Sequence, residues 1–176
     1  MESTGSNLNL NHAIRWGGLK GLIAVILNLI LFLISVDLLQ NGFVGFLLWA
    51  INVAIIIYAG FNHRNEIGGG YMSYGVAFKH AFIVMAISGL ITSTYSILLY
   101  NVIAPDLREM MTEEQMEGIM ASDGMNAEML DTLNFIFTNM FKPIGIIVLY
   151  FLGLIGSAIG AAIIALITRK KHEEEF

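Results

Sequence analysis

Few side chains in this sequence could do chemistry, and the most suggestive are Lys79 and His80, which stand together before a long apolar run with Tyr71 and Tyr74 just upstream. A cation and an imidazole among aromatics could take a phosphate or a lipid headgroup. The plainer reading is an orienting boundary lysine and a solvated histidine, with the tyrosines anchored at headgroup level. Asn28 and Asn52 fall near the middle of two other apolar runs. An unpaired amide is costly there, so the two are expected to bond each other rather than hold an ion. Ser88, Thr92 and Ser96 recur at four-residue steps, with Gly89 and Ser93 beside them. Such a face either lines a path or spends its hydroxyls on i−4 carbonyls and neighbouring helices, at about 0.6 kcal/mol per bond, and the second is expected.

Glu109, Glu113, Glu114, Glu117, Asp123, Glu128 and Asp131 crowd one connection and could attract cations or a basic partner. The Asx-x-Asx-x-Asx-Gly loop of a calcium hand is missing, so a solvated face is the expectation. With no cysteine, thiol nucleophiles, thiolate metal sites and disulfides are excluded. No apolar run holds a nucleophile with a base, a metal-ligand cluster or paired carboxylates, so the chain reads as a non-enzyme without metal or cofactor. Gly153, Gly156 and Gly160, with Ser157 and Ala161, form a small-residue stripe including a GxxxG, expected to be a tight helix-packing or oligomer interface. Gly17 and Gly21 make a weaker copy.

These residues sit on or beside four apolar runs, about 16–36, 42–61, 81–100 and 144–168, and each can cross the roughly 30 Å hydrocarbon core of a bilayer as a helix. Composition agrees, with 56% hydrophobic and only 13% charged residues where a soluble domain carries roughly 25% charged. The fold class is therefore all-α, an integral membrane four-helix bundle forming a single domain. Arg15, Lys20, Arg64, Lys79, Arg169, Lys170 and Lys171 fall on one side of the four spans, and only Arg108 and Lys142 on the other. The positive-inside rule then puts both termini in the cytoplasm. The first span lacks the basic n-region and cleavage pattern of a secretory signal, and is expected to stay in the protein.

The first connection, Asp37 to Asn41, is short. The second is a polar break, Asn62 to Glu66 followed by Gly68-Gly69-Gly70, read as a cytoplasmic loop. The third, Asn101 to Lys142, carries eight acids against two bases and is expected to form a short helical extracytoplasmic lid. Its first helix should start at a capping box of Thr112 and Gln115 and run to about Ala121, broken by Ser122-Asp123-Gly124. Its second should start at the Asn126 cap and run to about Phe141.

The stretch Gly70-Tyr71-Met72-Ser73-Tyr74-Gly75-Val76-Ala77-Phe78-Lys79 resembles the G-Y-x-S-[FY]-G-x-A-[FW]-K lead-in of a bacterial membrane-protein family known as domain of unknown function 4199. Pro105-Asp106, the Met-rich region from Met110 to Met129 and the basic Arg169-Lys170-Lys171 extend the likeness over the whole chain. What the resemblance implies is a four-span envelope protein; it carries no catalytic or ligand residues over. The expected role is a non-catalytic subunit or accessory in envelope assembly, in the bacterial inner membrane. Its partners would be the lipid bilayer and a second copy or another membrane protein, not nucleic acid. The alternative is a small oligomeric transporter or channel.

Overall fold

Asn9 adopts an extended conformation and its side chain accepts the His12 amide at 3.0 Å, which starts α1, Leu10–Ile34. A side-chain acceptor at this point satisfies one of the amides that every helix start leaves open. The computed structural model describes residues 7–120 and 126–171, and all regular elements among them are helical. Ser35 is extended and ends α1, and its hydroxyl accepts the Asp37 amide to begin α2, Val36–Gln40. The first connection is thus a short helix. Asn41 then caps α3, Gly42–Glu66, through the amides of Phe43 and Val44. There follow α4, Tyr74–Leu98, with a π-helical turn at Leu99–Ile103, and then α5, Pro105–Met120, α6, Ala127–Met140, and α7, Pro143–Thr168.

Four helical stretches are long and apolar enough to cross a membrane: Leu10–Ile34, Gly42–Glu66, Tyr74–Ile103 and Pro143–Thr168. Their side chains stay largely exposed, as at Leu33 (73%), Phe46 (59%) and Ile155 (65%). Water would penalise so much apolar surface, whereas lipid does not. The chain is an all-α, multi-pass membrane protein.

Two expectations need correction. Asn62 to Glu66 is not loop but the last turn of α3, because a polar side chain ends the hydrocarbon segment without ending the backbone hydrogen bonding. The reversal comes afterwards, where the amides of Gly68 and Gly70 reach back to the carbonyls of His63 and Arg64 at 3.0 and 2.9 Å. Gly69 and Gly70 take φ of +58° and +90°, a region that side chains with a Cβ avoid. Likewise α5 starts at Pro105 rather than at Thr112. Proline presets the first helical φ and lacks the amide that would go unpaired, and Asp106 complements the helix dipole. Thr112 instead lies inside the helix, its hydroxyl donating to the Arg108 carbonyl at 2.9 Å. The α6 cap is as expected, with Asn126 accepting the Met129 amide at 2.8 Å. Ala121, the break at Ser122-Asp123-Gly124, the side chain of Glu114 and residues 172–176 lie outside what the structure describes.

Two compact units are present. The first comprises Met1–Thr92 and Gly153–Phe176, and in it Ala13, Ile56, Ala81, Val84, Ala161 and Ile164 from α1, α3, α4 and α7 form one buried cluster. The second, Ser93–Leu152, buries Leu99, Leu107, Met111, Phe141 and Ile146. There Asn101 donates to the carbonyls of Ile97 and Phe141, at 3.1 and 3.2 Å, and accepts from Arg108. Gly145 lies so close to the Asn139 carbonyl that no Cβ would fit.

Candidate functional site

Within the first unit, α1 begins, α3 ends and α4 begins beside one another, and each brings a histidine. His12, His63 and His80 have ring centroids 5.2, 5.1 and 4.8 Å apart. His63 and His80 are fully buried. Three of the four histidines in the chain thus gather at one place.

Each ring is held by specific contacts. The Asn9 backbone amide donates to Nε2 of His63 at 3.1 Å, so the residue that caps α1 also grips α3. Nδ1 of His12 and Nε2 of His80 share a hydrogen bond at 2.9 Å. The other nitrogen of His12, Nε2, has two neighbours, Oδ1 of Asn62 at 2.7 Å and the indole N–H of Trp16 at 3.1 Å. Asn62 is itself oriented, because its amide nitrogen donates to Glu66 one turn further along α3. Nδ1 of His63 and Nδ1 of His80 are both buried without a hydrogen-bond partner among the described residues.

Above His12 lies an open pocket of about 480 Å³ lined by His12, Arg15, Trp16, Leu19, Asn62 and Glu66. Its wall offers a guanidinium, a carboxylate, an indole face and two hydrogen-bonding groups. Trp16 is fixed edge-on to Tyr58 of α3, at 5.4 Å between centroids. Further along α1, Lys20 donates to the hydroxyl of buried Ser88 on α4 at 3.0 Å. Among the described residues no set of three or more histidines and carboxylates is arranged to hold a metal ion.

The residues singled out from sequence fare unequally. Ser88 makes a true interhelical contact, to Lys20. Thr92 bonds the Ser88 and Gly89 carbonyls of its own helix, both at 3.1 Å. No hydrogen bond joins Asn28 to Asn52, and Asn52 instead donates to the Leu48 carbonyl one turn back, at 2.8 Å. That local acceptor is always within reach of a helical asparagine, so no second helix is needed to satisfy it.

The glycines show a reversal. Gly153 and Gly156 face open space, and of the three glycines in that stripe only Gly160 meets a neighbour, Met85, while Ala161 is buried in the core cluster. The tight approach is at Gly17 and Gly21. A Cβ on Gly17 would stand 2.7 Å from Cβ of Ile87, and one on Gly21 2.9 Å from Cβ of Ile91. A second close approach pairs Gly60 of α3 with Thr168 of α7.

Lys79 is exposed, but His80 beside it is not solvated; it faces inward as part of the cluster. Tyr71 lies under the ammonium of Lys170 at 5.5 Å, and the hydroxyl of Tyr74 donates to the Ala162 carbonyl at 3.5 Å. Between them Met72 is buried and exchanges two backbone hydrogen bonds of 2.9 Å with Lys170. The glycine and tyrosine lead-in is therefore a packing element that receives the basic segment after α7.

The histidine grouping escapes a reading that treats each boundary residue alone. A signal for it does exist. His12, Trp16 and Lys20 share one face of α1 at four-residue steps, and so do His80, Val84 and Ser88 on α4. In addition, His12 precedes the first apolar run, His63 follows the second and His80 precedes the third, which puts all three at the same end of the antiparallel helices.

In the second unit, Glu109, Glu113, Glu117, Glu128 and Asp131 are exposed, as a solvated face requires. A smaller pocket there, about 350 Å³, is lined by Arg108, Glu109, Thr112, Glu113, Thr138 and Lys142. No curated protein and no solved structure matches the chain. The family described as "Protein of unknown function (DUF4199)" matches residues 15–170, and it is to this family that the chain belongs.

Proposed function

We propose that this protein is a non-catalytic accessory subunit of the bacterial inner membrane, with both termini cytoplasmic, serving envelope assembly through contacts made at its cytoplasmic face. One observation carries the reading: the hydrogen-bonded His12, Trp16, Asn62 and His80 stand beside an open pocket at the helix ends, while Ile56, Val84 and Ile164 of the same unit are packed into an apolar cluster. A protein that passes solute usually keeps ionisable groups or broken helices at mid-depth. A protein that contacts a partner at its face has no such need.

A photo-crosslinking side chain placed at Arg15 or Glu66, on the pocket rim, tests this in cells. A discrete adduct with another membrane protein, lost when the probe is moved to lipid-facing Leu33, is expected. Adducts with lipid alone from all three positions would overturn the accessory role. The contact of Lys20 with Ser88 inside an apolar span favours the transport alternative, an oligomer that carries a small solute or ion. Solute or ion flux through reconstituted vesicles, absent when both residues are replaced, would move the assignment there.

A further inference from the structure

Nε2 of His12 is asked to do two incompatible things. The indole nitrogen of Trp16 can only donate, so its bond requires a bare lone pair on Nε2. Oδ1 of Asn62, oriented by the amide's own bond to Glu66, accepts, so its bond requires a hydrogen on Nε2. One neutral imidazole cannot satisfy both at once. The choice propagates, because the other nitrogen of His12 is bonded to His80.

Two arrangements result, each with one proton per ring. In the first, Nε2–H of His12 donates to Asn62, and Nε2–H of His80 donates to the bare Nδ1 of His12. Nδ1 of His80 is then bare. In the second, the Trp16 indole donates to Nε2 of His12, and Nδ1–H of His12 donates to Nε2 of His80. Nδ1 of His80 then carries the hydrogen. His63 takes no part in the exchange: the Asn9 amide occupies its Nε2 lone pair and fixes its hydrogen on Nδ1.

We propose that His12 and His80 form a two-imidazole proton relay between the open pocket and the buried side of His80, with Trp16 and Asn62 competing to set its direction. Starting from the second arrangement, a hydronium ion in the pocket gives its proton to Nε2 of His12 and leaves as water. The Nδ1–H bond of His12 breaks as the Nε2–H bond of His80 forms. The hydrogen on Nδ1 of His80 leaves to a water molecule on the buried side, and the rings are now in the first arrangement. One proton has crossed, with no electron transferred; tautomeric return of both rings resets the pair. The relay needs that water beside the buried Nδ1 atoms of His80 and His63, which have no hydrogen-bond partner among the described residues and, as buried polar atoms, call for one.

A metal centre fits less well. Ligation by His63 would need a bare nitrogen, and its Nε2 is taken by the Asn9 amide while its Nδ1 carries the hydrogen. The relay is also independent of the accessory role proposed above, because it concerns the rings and not what the face contacts.

The test is nitrogen NMR of the full chain with 15N-labelled histidine in mild detergent, ring signals being assigned by their loss in single His→Gln variants. His63 is expected in one tautomer, and His12 and His80 in two that rise and fall together. Trp16→Phe keeps the aromatic packing but removes the donor, and should shift both rings toward Nε2–H by about fivefold, the ratio an ordinary hydrogen bond sets. Asn62→Leu should shift both the other way. In the unaltered protein, scalar coupling between Nδ1 of His12 and Nε2 of His80 should be visible. His12→Phe should abolish fast solvent exchange of the His80 ring hydrogen. Tautomers that stay fixed or change independently, absence of the coupling, or exchange at His80 indifferent to His12→Phe would overturn the relay. So would a single zinc-bound form of all three rings on adding zinc.

Discussion

Lys20 shows how a cation can lie within an apolar helix. Its ammonium donates to Ser88, yet the Ser88 hydroxyl also donates to the Met85 carbonyl at 3.0 Å, so the serine does not depend on the lysine. Lys20→Met should therefore leave stability within about 1 kcal/mol of the original or raise it, since a poorly solvated ion is replaced by a side chain of similar length. Thermal unfolding in detergent measures this; a large loss would mean that the lysine has a structural partner beyond Ser88. Asn101 is the opposite case. It is the donor to the Phe141 carbonyl and the acceptor for Arg108, and Asn101→Leu would strand the carbonyl of a buried residue. A loss of about 1–3 kcal/mol is expected in the same measurement.

Helices approach where backbones can touch, and here that is α1 on α4 as well as α3 on α7. Gly17→Ala and Gly21→Ala should each cost about 1–3 kcal/mol, because the added methyl meets the branched carbons of Ile87 and Ile91 rather than a flexible chain end. Gly153→Leu and Gly156→Leu add bulk facing open space and should leave unfolding of the single chain unchanged. If instead they halve an oligomer on size exclusion, that stripe joins copies. This contrast marks what a sequence can and cannot disclose. A glycine stripe signals that close approach is possible, but Gly17 and Gly153 look alike until a neighbour is known. Span number, helical class and the Asn126 cap were legible because hydropathy and local hydrogen bonding depend on near neighbours along the chain. The helical ends around His12 and His63 were not, since hydropathy falls where water begins and the helices continue past that boundary.

For the molecule as a whole, the absence of cysteine makes sidedness directly measurable. A lone cysteine replacing exposed Glu113 should react with a membrane-impermeant maleimide on intact cells, and one replacing exposed Asn65 only after lysis. The reverse pattern would invert the orientation proposed from the basic residues. The pairing of Met72 with Lys170 adds a constraint on biogenesis. Met72 leaves the ribosome long before Lys170, and Gly60 and Arg64 likewise wait for Thr168. During synthesis the first three spans therefore reach the translocon with that face unsealed, its backbone groups still hydrated. A chain truncated before α7 keeps this gap, and pulse-chase labelling is expected to show it degraded faster than the full chain.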